Sequence, residues 1–165
     1  MKQPLMHFIT FLTMSFNNVR FTVPLGEGKT YHHFPSHLRG RYKTNFGWTL
    51  FLVENELVFM NAQNQLEIHE ALSPNFKLKK FQGFYLMERS IGRASNIVLM
   101  STNKSQLIFH MPRLEGWEQI PNKSSISLGS EDGITIYRTN TTALNALFLN
   151  GFFSYRLQLE RIETN

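Results

Sequence analysis

The sequence predicts a mainly β fold: an antiparallel meander forming a curved sheet, sandwich or partly open barrel, with two short helices in the C-terminal third. Three observations carry this. Residues 72–111 alternate apolar and polar positions around short turns, the two-residue period of a half-buried strand. Aromatic residues make up 13% of the chain, with 15 Phe, a supply suited to strand-rich cores. The last segment alternates without a break: Phe153, Tyr155, Leu157 and Leu159 on one side; Ser154, Arg156, Gln158 and Glu160 on the other.

The 72–111 meander begins with Phe76 and Leu78 against Lys77 and Lys79. Gln82-Gly83 is a turn, because glycine takes the positive φ of a tight hairpin. Phe84 to Met87 returns, residues 88–95 read as a polar loop, and Ile97 to Met100 pairs with Leu107 to Met111 around Thr102-Asn103-Lys104-Ser105. Such a meander predicts one buried sheet face.

Upstream, Leu38 to Thr44, Trp48 to Val53, Leu57 to Met60 and Leu66 to His69 read as short strands between polar turns. Downstream, Pro112 followed by Leu114, Trp117 and Ile120 predicts one or two helical turns, and Pro121 stops them. Asn122 to Asp132 reads as a polar loop and Ile134 to Arg138 as a strand. Asn140-Thr141-Thr142 offers an N-cap to a helix over 143–150, with Gly151 after it. The expected total is about eight to ten strands. Residues 24–165 read as a single β-rich domain, since 165 residues suffice for one core.

Residues 1–23 are an N-terminal segment with two readings. The apolar run Leu5 to Phe16 is too short to span a bilayer, which needs about 20 residues. Behind Lys2 it resembles a weak signal peptide. Continued by Val19, Phe21 and Val23, it reads equally as a first strand.

The net charge of +5 is spread along the chain, a property of solubility and encounter before it is a nucleic-acid footprint. The chain has no cysteine, which excludes disulfides, zinc–thiolate sites, thiol catalysis and lipidation through that residue.

Phrases across most of the chain from Gly28 onward resemble a group of uncharacterised small envelope proteins of Bacteroidota, often lipoprotein-like. They are GKTYHHFPSHLRGRY (28–42), LSPNFKLKKFQGFYLM (72–87) and IYRTNTTALNALFLNGFFS with LERI behind it (136–162). The lipid-attachment Cys usual in such proteins is missing here. The resemblance implies a mostly β protein of the cell envelope or periplasm, with no known activity, and leaves a cytoplasmic location open.

Candidate chemistry reduces to little. GEGKT (26–30) ends like a phosphate-binding loop. That loop needs a glycine where Val23 stands and a helix after the Lys, where Tyr31-His32-His33-Phe34-Pro35 follows. His32, His33 and His37 cluster, but Pro35 breaks the helix a His pair would need, and no carboxylate completes a metal shell. Glu54 with Glu56 and Glu131 with Asp132 sit in turns, where solvation explains them. No G-x-S-x-G nucleophile elbow exists. No catalytic, cofactor or metal residue is therefore assigned.

Lys77, Lys79 and Lys80, interleaved with Phe76 and Phe81, have the make-up of a nucleic-acid-stacking sheet. Lys on an outer strand face more often solubilises and guards an edge, so nucleic acid is not expected. The expected function is a non-catalytic envelope binding or interaction module, a subunit of a larger assembly. Its surface would draw on Lys77, Lys79, Lys80, Arg156 and Gln158. The expected partner is a protein, with membrane contact only through that partner or the N-terminal segment. The alternative is a lipocalin-like barrel holding a small apolar ligand among its Phe and Leu side chains.

Overall fold

The computed structural model describes residues 5, 8–9, 19–21, 29–92, 94–112, 127–131, 134–138 and 141–162. The strands are β1 (Val19–Phe21), β2 (Gly40–Lys43), β3 (Thr49–Leu52), β4 (Glu56–Met60), β5 (Leu66–Ala71), β6 (Phe76–Phe81), β7 (Phe84–Ile91), β8 (Ala94–Thr102), β9 (Gln106–Met111), β10 (Ser127–Glu131), β11 (Ile134–Arg138) and β12 (Tyr155–Ile162). A 3-10 turn covers Ser36–Leu38, and the helix α1 covers Thr141–Leu149.

Nine strands, in the order β6-β7-β8-β9-β12-β2-β3-β4-β5, form a nearly closed antiparallel barrel-like sheet. The C-terminal strand fills the gap between β9 and β2: Leu157 faces Phe109, and Arg161 faces Tyr42. Among the described residues β5 and β6 form no ladder with each other. Arg89 of β7 pairs with Glu70 of β5 at 2.7 Å, and the Tyr31 N–H donates to the Leu78 carbonyl of β6 at 2.8 Å. A branch leaves the barrel at β8, where Phe21 of β1 faces Ser95; β11 then runs parallel to β1, and β10 antiparallel to β11.

Aromatic and aliphatic side chains line the barrel interior, and Phe34, Tyr42, Phe59, Phe76 and Phe109 are almost wholly buried there. A second cluster lies outside the wall. Leu86, Ile97 and Leu99 point outward and are covered by Leu144 and Leu147 of α1 with Phe152 and Phe153. β7 and β8 are thus buried on both faces, which is why Ile97 to Met100 is an unbroken apolar run. The expectation of one buried face is corrected here: a helix distant in sequence covers the other.

Four further expectations change. Residues 88–95 are not a loop, because β7 runs to Ile91 and β8 starts at Ala94. Their polar side chains find partners across the sheet: Lys79 with Glu88, Ser95 with Glu88, Glu70 with Arg89. β10 lies inside the segment read as loop. In the C-terminal third, α1 is the one short helix among the described residues; the turns expected over 112–121 fall outside them apart from Pro112. Among the described N-terminal residues, Leu5, Phe8 and Ile9 are helical and Val19–Phe21 is a strand. Phe8 reaches the barrel core, its ring 4.2 Å from Phe109 and 5.6 Å from Phe59 between centroids.

The Gln82-Gly83 hairpin holds. Gln82 and Gly83 have φ of 50° and 82°, the paired positive values of a two-residue turn that matches strand twist. Gly151, at φ 76°, ends α1 as expected.

Candidate functional site

The five residues expected to form one surface occupy four environments. Strand alternation turns Lys77 and Lys79 outward, but they do not share solvent. Lys77 is half-buried beside the Ser73-Pro74 turn. Lys79 is buried at 7% exposure, and its Nζ donates to Glu88 Oε2 at 2.7 Å, while Ser95 Oγ donates to Oε1 of the same carboxylate at 2.9 Å. Two charges removed from water are tolerable only when paired and further hydrogen-bonded, as here. Lys79 is therefore a structural ion and no contact surface, which corrects its expected role.

Lys80 lies on the alternate face, with Nζ 3.5 Å from the centroid of the Tyr85 ring. The Tyr85 hydroxyl shares a 3.1 Å hydrogen bond with His37 Nε2, and Tyr31 meets the same ring edge-on. A cation over an aromatic face is favourable, so Lys80 is committed inside this cluster.

Arg156 and Gln158 are exposed on the outer face of β12, as their alternation requires. They line an open groove of about 450 Å³ together with Lys43, Thr44, Asn45, Phe46 and Glu160. Its far wall is the β2–β3 turn. Thr44 fixes that turn by accepting the Trp48 N–H on Oγ1 at 3.0 Å and pairing backbone with Trp48 at 2.9 Å. Gly47, at φ 88°, allows the reversal that brings half-buried Phe46 over the groove. The groove is thus lined by two cations, one carboxylate, two side-chain amides and an aromatic ring.

Behind Arg156, His110 of β9 is its direct cross-strand partner. Burial, and secondarily the Arg156 charge, hold the imidazole pKa below its ordinary 6.5. His110 Nε2 and Ser101 Oγ lie 2.8 Å apart, and Phe84 packs on the ring edge-on.

Inside the barrel, Arg89 of β7 and Asn96 of β8 face each other in register, next to Glu70. Sequence reading placed Arg89 in a loop, assigned Asn96 to no element, and missed both. The signal was the alternation itself: Asn96 shares parity with the inward Val98 and Met100, and Arg89 with Met87.

The other candidates stay apart. Among the described residues no group of three His, Asp or Glu is arranged to hold a metal. His33 lies 3.8 Å from Glu54 on the surface, and His37 is engaged with Tyr85. Glu56 pairs with His69 at 3.1 Å. Glu131 ends β10, while Asp132 and residues 26–28 of GEGKT lie outside the described residues. No helix among the described residues is long and apolar enough to cross a membrane. Comparison of the chain with protein-family models, curated proteins and solved structures finds no match.

Proposed function

We propose that the protein is a non-catalytic binding module of the cell envelope that takes an acidic segment of a protein partner into the groove beside β12. One observation carries the reading. Arg156 and Gln158 stand open to solvent beside Lys43, whereas Lys79 and Lys80 are occupied within the fold. An acidic side chain would meet Arg156 and Lys43, a peptide backbone would bond the Gln158 amide, and an apolar side chain would rest on Phe46. Exposed ion pairs contribute only about 0–1 kcal/mol each, so the cations steer and select while the ring and the Gln158 amide hold. The envelope assignment is supported by the resemblance of segments 28–42, 72–87 and 136–162.

The test is affinity capture from the native host, wild type against Lys43→Glu/Arg156→Glu, with mass spectrometry. The charge reversal should lose a partner that wild type retains, and the retained complex should weaken as salt rises through the range where exposed charges are screened. Lys77→Glu should keep it. Loss with Lys77→Glu, or capture indifferent to the double reversal, would place the surface elsewhere.

A further inference from the structure

The inner wall of the barrel carries an unsatisfied polar pair. Asn96 has no exposed surface, yet neither its Oδ1 nor its Nδ2 has a protein partner. Directly opposite, Arg89 donates from Nη2 to Glu70 at 2.7 Å and lies 5.7 Å from the Phe76 ring centroid. Its Nε and Nη1 are buried without a partner. Strand alternation puts both side chains on the face that Met87 and Val98 turn to the core. Buried polar groups are almost always hydrogen-bonded, and leaving several unpaired is costly where Leu or Val would suit the wall. Side-chain exposure is 27% at Glu70 and 12% at Arg89, and Asn96 has none.

We infer that Arg89 and Asn96 form a binding subsite for an uncharged ligand presenting a primary amide or lactam edge. This goes beyond the outer groove and does not depend on it. Charge selects the neutral class. Glu70 already neutralises Arg89, and a second carboxylate in this poorly solvated place would be repelled by the first. The inventory selects the edge. Asn96 offers one acceptor and one donor side by side, which a ligand C=O and N–H on the same edge satisfy together. Arg89 offers only donors, which meet the remaining lone pair of that carbonyl. A single hydroxyl does not span both Asn96 atoms with good geometry.

The experiment is a titration of the full chain with 2-piperidone, a neutral lactam. It is followed by nitrogen-15 NMR of the Asn96 side-chain amide and the Arg89 Nε–H. N-methyl-2-piperidone, which lacks the N–H, and butyrate, an anion, are the controls. Saturable shifts of both groups with 2-piperidone are expected, with the methylated lactam at least about tenfold weaker, because a site built to bond an N–H rejects its analogue. Asn96→Leu should abolish the shift at Arg89 and leave the melting temperature unchanged or raised, since it removes both unpaired atoms. Absence of a saturable shift overturns the inference, as does butyrate binding as well as the lactam. So does a lower melting temperature for Asn96→Leu, because Asn96 would then be held by structural water.

Discussion

Replacing Phe8 with Ala should damage a core that lies far from it in the chain. Phe8 is fully buried, tilted against Phe109 at 4.2 Å and edge-on to Phe59 at 5.6 Å. Truncating a buried Phe costs about 3–5 kcal/mol, and each aromatic pair contributes roughly 0.5–1.5 kcal/mol beyond burial. The upper half of the range applies, because one deletion breaks two ring contacts inside a nearly closed wall. Against a total stability of about 5–15 kcal/mol, this is a large fraction. At about 2–4 °C per kcal/mol for a domain of this size, the melting temperature should fall by roughly 8–20 °C. Urea melts followed by Trp fluorescence suit the test, since Trp48 stacks on Phe59 at 5.1 Å and reports the same region. Phe8→Leu should cost less than Phe8→Ala. A Phe8→Ala melt within about 1 kcal/mol of wild type would show that the N-terminal segment is not part of the core. By the same reasoning, protein isolated from its native source should retain Phe8, which intact mass reads directly.

Three other outcomes follow from the same physics. Leu157→Ala should cost about 2–5 kcal/mol in urea melts, because Leu157 is buried against the barrel core, while exposed Arg156→Ala should stay within roughly 0.5 kcal/mol at neutral pH; equal costs would show that the β12 register is wrong. Lys79→Met should destabilise by about 3–5 kcal/mol by leaving Glu88 charged and buried, and Lys79→Met/Glu88→Leu should recover most of it; failure of the double variant to recover would mean that the pair is not the issue. His110 binds protons less readily folded than unfolded, so its contribution is present above pH 6.5 and is lost as pH falls below it. His110→Gln should flatten stability against pH just below that value, and Arg156→Ala should raise the imidazole pKa without restoring it fully, since burial is the larger cause; an unchanged NMR titration of His110 would remove Arg156 as a contributor.

Strand period and turn chemistry are local properties, and they were legible. The hairpin at Gln82-Gly83, the turn at Thr102 to Ser105, the helix ending at Gly151 and the outward faces of Arg156, Gln158 and Glu160 all stand where alternation and positive φ put them. Half of the candidate groove, Arg156 and Gln158, was therefore visible in the chain. Its other wall was not, because Lys43 and Phe46 reach it only when β12 inserts beside β2. Residues 88–95 looked like a loop because polarity was read without partners. Glu88 and Arg89 become strand residues only when Lys79, Ser95 and Glu70 arrive to neutralise and bond them. The same holds for Lys79, whose parity was right and whose burial depends on what covers the outer wall. Alternation says which side chains share a face; it carries no information on whether that face meets water, a helix or the far side of a barrel. That choice is made by segments distant in sequence, α1 outside the wall and Phe8 within it, through burial that no single stretch can specify alone.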